Sequence, residues 1–240
     1  MSQGADIFFV GDIQGCAEEL ALLLTRAEFV PGLHRLIPLG DTVNRGPDAP
    51  GVLRLLELAG AEPIQGNHER ALLRIGQNVD PPAWALREGS AWRQLHEAGM
   101  WEMALRQFAH WPLFRRGPGW IAVHAGLHPR HPPEQTDPEF LTTVRWCDET
   151  GQTPEGVHGD QEQGPEGFSP WHGHYRGSDA VIFGHWARQG LVERPGLWGL
   201  DTGCVYGREL TGLWWPQGRL VSVKAHRAYQ SVRIKPAQPE

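Results

Sequence analysis

Asp12, Gln14, Asp41, Asn67, His68, His124 and His185 share a position type: each follows directly on a short apolar run. Ile7–Val10 leads to Asp12 and Gln14, and Leu36–Leu39 to Asp41. Pro63–Gln65 leads to Asn67 and His68, Ile121–Val123 to His124, and Val181–Phe183 to His185. Taken singly, a Gly-Asp at a strand end is a turn and a buried histidine is a hydrogen-bonded core residue. Taken together, carboxylate, imidazole and amide oxygens form a donor set suited to hard-to-borderline divalent metals such as Mn, Fe, Zn, Co or Ni. Ligands of open α/β sheets gather beyond the carboxyl ends of the strands, so these ends are expected to converge on one crevice. Glycines 11, 15, 40, 66, 126 and 184 beside them permit tight turns and close backbone approach.

The elements that must position these residues follow an α/β pattern. Leu20, Leu23 and Leu24 in Glu18–Ala27, and Val52, Leu55 and Leu56 in Gly51–Ala59, recur at helical spacing. Glu69–Gly76 and Ala91–Ala109 also read as helices. After His185 the texture changes to the strand-like pieces Leu197–Leu200, Leu210–Trp215 and Leu220–Lys224, and Pro216-Gln217-Gly218 forms a turn between the last two. An antiparallel end is therefore predicted. Pro129–Pro138 and Asp148–Pro170 read as loops, the second as a rim of the site, and the tail from Ser231 as frayed.

Bulk properties bound the alternatives. A chain of 240 residues with 40% hydrophobic and 21% charged residues fits one globular domain. No apolar run approaches the ~18 residues of a membrane span. With no secretory leader in view, a soluble cytoplasmic protein is expected. Cys16, Cys147 and Cys204 are odd in number, widely spaced and without a C-x-x-C pair, so reduced thiols are expected rather than a disulfide framework. A net charge of −6 disfavours general nucleic-acid binding, which needs a Lys/Arg excess. Bound cations could still present a positive spot to a phosphorylated small molecule.

In order along the chain stand Gly11-Asp12-Ile13-Gln14-Gly15, Gly40-Asp41-Thr42-Val43-Asn44-Arg45-Gly46, Gly66-Asn67-His68-Glu69, His124-Ala125-Gly126 and Gly184-His185. This set resembles the phosphoprotein-phosphatase-type metallophosphoesterases over about residues 6 to 224. Phe183-Gly184-His185-Trp186 and Leu200-Asp201-Thr202-Gly203-Cys204-Val205-Tyr206-Gly207 look most like the symmetrical diadenosine tetraphosphatase branch. The resemblance implies a single-domain, four-layer αββα sandwich and two divalent metal ions, with Mn foremost. It implies that Asp12 and Gln14 bind the first metal, Asp41 bridges both, and Asn67, His124 and His185 complete the second. His68 would protonate the leaving group. Arg45 would clamp a phosphate oxygen, with Arg176 as the second phosphate arginine and Arg70 as a further substrate contact or a surface ion pair.

Two positions depart from the family pattern. Gln14 replaces a metal-binding histidine, and its neutral amide oxygen is a weaker ligand. Asn44 replaces the aspartate that pairs with the acid histidine in protein phosphatases; its oxygen would orient His68 without a negative charge to raise the imidazole's pKa. The expected activity is hydrolysis of a phosphoanhydride in a dinucleoside polyphosphate. The alternatives are a protein Ser/Thr/Tyr phosphatase and, in another class, a non-catalytic nucleotide sensor. Trp171, Tyr175 and Trp186 flank the motifs, but packing is the expected role of such aromatics. Oligomeric state is unreadable from the sequence.

Overall fold

The computed structural model describes residues 6–77, 89–155 and 164–231. Two expectations fall partly outside these: residues 156–163 of the anticipated rim, and the tail beyond Ser231.

The first half carries β1 (Ile7–Val10), α1 (Ala17–Arg26), β2 (Arg35–Pro38), α2 (Ala49–Leu58) and α3 (Asn67–Gly76). Next come α4 (Ala91–Glu97), α5 (Trp101–His110), β3 (Phe114–Gly117) and β4 (Trp120–Val123). After α6 (Pro138–Thr143) follow β5 (Trp146–Cys147), β6 (Ser169–Pro170), β7 (Ala180–Phe183), β8 (Val192–Arg194) and β9 (Leu197–Gly199). The last strands are β10 (Glu209–Trp215) and β11 (Arg219–Lys224).

One sheet has the order β11-β10-β1-β2 and a second β3-β4-β7-β9-β8; β5 and β6 pair apart from both. The inner strands β1, β4 and β7 are apolar and buried on both sides, which is why they read as continuous runs rather than alternating ones. Phe8 and Val10 of β1 pack on α1 and α2 with Leu20, Leu23, Val52 and Leu56. Ile7 and Phe9, one residue out of phase, meet Trp120, Ala122 and Ile182 of the second sheet. The opposite faces of β4 and β7, Ile121, Val123, Val181 and Phe183, are covered by Leu141 and Trp171. The expected four-layer αββα sandwich is thus the observed architecture. No helix among the described residues is long and apolar enough to cross a membrane.

Three local expectations are corrected. Pro63–Gln65 is not a strand. Glu62 and Ile64 donate to the Leu36 and Pro38 carbonyls as a parallel neighbour would, at 2.8 and 3.2 Å. The return bond would come from the N–H of residue 38, and proline has none; Arg115 Nε takes the Glu62 carbonyl instead, at 2.8 Å. Ala91–Ala109 is two helices, broken where Gly99 adopts φ +66°. The end of the chain is antiparallel only in part: β10 and β11 pair that way, but β9 runs parallel to β7 in the other sheet. The loop Pro129–Pro138 also closes into α6.

Candidate metal centre

Four parallel strands, β1 and β2 in one sheet and β4 and β7 in the other, end at Asp12, Asp41, His124 and His185. Asp12 Oδ1 accepts the backbone N–H of His185 at 2.9 Å and so ties the two sheets together at their carboxyl ends. Asp41 Oδ1 accepts the N–H of His68 at 2.9 Å, which fixes the first turn of α3 against the end of β2. Close approach is obligatory here. A Cβ on Gly66 would lie 2.2 Å from Asp41 Oδ1, and one on Gly11 2.1 Å from the Leu200 carbonyl oxygen. Among described non-glycine residues six have positive φ, and five of them, Gln14, Asp41, Asn44, Arg45 and His185, belong to this site. Such conformations cost energy and persist where surrounding structure over-determines them, as at preorganised sites.

Glu69 is the buried anchor. Its carboxylate accepts the N–H groups of Gly66, Asp41 and Thr42 at 2.8, 2.9 and 2.8 Å and the Thr42 hydroxyl at 2.9 Å. An amide in its place has one accepting oxygen and turns an NH2 toward donors. Glu69→Gln is expected to lower unfolding stability by on the order of 3 kcal/mol, since each buried donor left unmet costs about 1–3. A urea unfolding curve checks this.

The tautomers of the two inner histidines follow from their outer bonds. His124 Nδ1 lies 2.7 Å from the Leu39 carbonyl and His185 Nε2 lies 3.1 Å from the Thr143 carbonyl. A carbonyl only accepts, so each ring proton sits outside and an unprotonated nitrogen faces in. Those inward nitrogens are 3.2 Å apart. Asn67 Oδ1 lies 3.1 Å from one and 3.0 Å from the other, and Asp41 Oδ1 3.4 Å from His124 Nε2. Acceptor faces acceptor on every side. Protonating a ring does not resolve the conflict, because burial holds His124 down at about 4 and His185 well below its usual range. A cation does resolve it, and Asp41, His124 and His185 place one ligand atom each within 4.8 Å of one another. Asp12 Oδ2 and Asp201 Oδ2 are also buried without a hydrogen-bond partner among the described residues.

Burial pushes Asp41 and Asp201 up to about 6, and burial with the charges of Asp201 and Asp41 raises Asp12 well above the carboxylate range. These carboxyls must lose protons to bind a cation, whereas burial already favours the neutral form of both histidines. Apparent Mn²⁺ affinity is therefore expected to rise with pH up to about 6 and level off above the highest carboxyl pKa, by at least tenfold between about pH 5 and 7. Titration calorimetry across that range is the check; an affinity flat with pH contradicts it.

His68 is buried beside this cluster, with Nε2 3.4 Å from Asp41 Oδ2. Asn44 contacts it differently from the sequence expectation. The Asn44 oxygen accepts the N–H of Ala91 at 3.1 Å, which turns its NH2 toward His68 Nδ1 at 3.0 Å. Asn44 therefore orients His68 through its nitrogen, not its oxygen. The amide donates, so Nδ1 accepts and the ring proton sits on Nε2, on the side of the metal centre. Burial first, then Arg45 and His124, holds the imidazole well below its usual pKa.

The remaining expected residues divide. Gln14 donates its backbone N–H to the Asp41 carbonyl at 2.8 Å, and its side chain favours the charged form of the Asp41 carboxyl. Arg45 Nη1 donates to the Tyr206 hydroxyl, and the Arg45 charge acts on Asp12, Asp41, His68 and Asp201. Arg176 is not brought into this cluster: it is exposed, and its Nη1 donates to the Gly173 and Tyr175 carbonyls at 2.8 and 2.9 Å. Arg70 lies 3.9 Å from the exposed Glu139. Trp171 and Trp186 are buried.

A family model for calcineurin-like phosphoesterases matches residues 5–189. The chain belongs to this family. Among curated relatives of this metallophosphoesterase, the symmetrical bis(5'-nucleosyl)-tetraphosphatase of Paracidovorax citrulli is 30% identical, with 97% of this chain and 98% of the relative covered. That of Azotobacter vinelandii is 29% identical over 85% and 91%. A crystal structure provisionally described as a diadenosine tetraphosphatase superposes with a TM-score of 0.76 at 32% identity, covering 93% of this chain and 95% of that one. The phosphoesterase is a hydrolase of a family that uses divalent metals.

Sequence reasoning missed two charged members of the site. Asp201 follows β9, and its charge acts on Asp12 and His124. Arg145 acts on Asp41, His124 and His185. Asp201 lay within a quoted motif, and its position just past an apolar run was the available signal. Arg145 follows α6, a helix that begins at the end of the Pro129–Pro138 loop and was not assigned from sequence, so nothing local marked it.

Proposed function

We propose that this phosphoesterase hydrolyses a phosphoanhydride bond of a dinucleoside polyphosphate, typified by diadenosine tetraphosphate cut into two ADP. Two divalent cations, Mn²⁺ foremost, serve it. Asp12 and Gln14 hold one, Asn67, His124 and His185 hold the other, and Asp41 is shared. When bound, the cations neutralise phosphate charge and supply water activated for in-line attack. Arg45 and Arg145 bind phosphate oxygens. Arg145 takes the role expected of Arg176, whose guanidinium is held by its own loop, and Arg70 is left as an outer contact. The working unit is one domain over residues 1–240 with its motif-bearing core at about 6–224, in the cytoplasm, where three free buried cysteines fit a reducing compartment.

The observation that carries the substrate class is the Asn44–His68 hydrogen bond. A phosphoserine or phosphothreonine substrate expels an alkoxide, which must be protonated as it leaves, and a charged imidazolium is the suitable acid. Here the NH2 of Asn44 opposes a proton on His68 Nδ1, so the imidazolium is disfavoured by geometry as well as by burial. An ADP leaving group is a phosphate, whose last proton comes off near pH 6, and it departs without full protonation. The neutral Nε2–H of His68 is sufficient for it as a hydrogen-bond donor. The names of the relatives support the same reading.

With Mn²⁺, kcat/KM for diadenosine tetraphosphate is expected to exceed that for a phosphoserine peptide by at least about 100-fold, the usual worth of a positioned proton donor. The reverse order overturns the substrate assignment, and nucleotide binding with no product overturns the enzymatic one. Asn44→Asp supplies the missing negative charge. An opposite charge at this distance raises an imidazole's proton affinity by roughly 10- to 1000-fold, so the preference is expected to narrow by about tenfold or more. An unchanged ratio contradicts the leaving-group argument.

A further inference from the structure

Behind the centre lies a second group of ligating side chains. Cys16 stands between the loop that carries Gln14 and the start of α1, and Glu19 lies in the first turn of that helix. Cys204 comes from the segment that carries Asp201. The two Sγ atoms and a carboxylate oxygen of Glu19 all lie within 4.8 Å of one another. All three residues are buried, at 0%, 0% and 1% exposure for Cys16, Glu19 and Cys204.

The carboxylate is half satisfied. Glu19 Oε1 accepts the Tyr229 hydroxyl at 2.8 Å and the backbone N–H of His226 at 3.0 Å. Oε2 is buried with no hydrogen-bond partner among the described residues. Leaving such an oxygen unmatched is costly, and the thiols beside it are weak donors: the Cys16 Sγ reaches the Gln14 carbonyl only at 4.0 Å. Tyr229 and His226 occupy Oε1, which leaves Oε2 as the oxygen available to a ligand. Outer hydrogen bonds orient the carboxylates of metal sites in the same way.

We propose that Cys16, Cys204 and Glu19 form a buried site for one thiophilic divalent cation of the zinc class, separate from the phosphoesterase centre. Thiolate sulfur selects such ions, and tetrahedral ligands at about 2.3 Å from zinc stand about 3.8 Å apart, so a cluster within 4.8 Å closes on the ion by small side-chain rotations. Binding displaces the two thiol protons to solvent and leaves one coordination position for water. The cation pins the start of α1 to the 201–205 segment, two stretches of chain that both flank the catalytic crevice. Cys147, in β5, is buried in the core against the second sheet, outside this cluster, and serves as an internal control. The site does not depend on the substrate assignment above.

Cobalt(II) distinguishes the two kinds of site, since the phosphoesterase centre offers only oxygen and nitrogen ligands. The full-length chain loaded with Co²⁺ is expected to show a near-ultraviolet thiolate-to-cobalt charge-transfer band, together with one cobalt per chain beyond the catalytic complement. Cys204→Ser should abolish the band and lose that one ion, Glu19→Gln should weaken the ion's binding, and Cys147→Ser should leave the band unchanged. A wild-type chain with a saturated catalytic centre and no such band overturns the proposal whether its thiols are free or joined, and does so without relying on any variant folding. Persistence of the band in the double variant Cys16→Ser, Cys204→Ser overturns it equally.

Discussion

Replacing Asp41 by asparagine is expected to abolish the cooperation of the two cation sites, with turnover lost by far more than the 10- to 100-fold typical of removing an outer partner of a metal ligand. In the proposed assignment Asp41 is the residue shared by both cations. Its Oδ1 faces His124 Nε2 at 3.4 Å, its Oδ2 faces His68 Nε2 at 3.4 Å, and Gln14 favours its charged form. An amide removes the negative charge that neutral His124, His185, Asn67 and Gln14 do not supply. The variant should still fold, because Glu69 continues to hold the Asp41, Thr42 and Gly66 N–H groups whatever the side chain at position 41. Metal analysis beside circular dichroism separates these effects: a folded chain with reduced metal content is expected, and full metal content with full activity contradicts the assignment.

His68→Ala is expected to act differently, leaving metal content intact while lowering kcat on diadenosine tetraphosphate by about 10²–10³, the worth of one preorganised donor to developing negative charge. The side chain meets Asn44 through Nδ1, and its Nε2–H faces Asp41 of the centre. Because the donor stays neutral, the effect should depend weakly on pH on the acid side, unlike that of a titrating general acid. A variant that keeps full turnover, or one that loses its metals, removes His68 from the chemistry.

The strand ends were legible from sequence because burial on both faces makes each strand a continuous apolar run and the first polar residue beyond it joins the buried site at the strand ends. That logic located Asp12, Asp41, His124 and His185 and applies equally to Asp201, which follows Leu197–Leu200 in the same way. It failed at Pro63–Gln65, where the run is apolar enough but Pro38 on the neighbouring strand lacks the N–H a ladder needs. It failed again in Ala91–Ala109, where helical periodicity continues across Gly99 although the backbone does not. The largest gap concerns Asn44. Its identity was plain, but the direction of its amide is set by Ala91, 47 residues away and at the start of another helix. No local signal encodes that contact, and it decides whether His68 carries its proton toward or away from the centre. Arg145 was hidden for a similar reason: its charge reaches Asp41 and both inner histidines only because α6 folds back over β4 and β7.

The most direct test of the central claim is product analysis after incubating the Mn²⁺-loaded chain with diadenosine tetraphosphate. The account predicts two ADP as the sole nucleotide products, lost together with bound metal in Asp41→Asn. ATP plus AMP contradicts symmetrical attack, and an untouched dinucleotide alongside a dephosphorylated phosphoserine peptide contradicts the phosphoanhydride assignment itself.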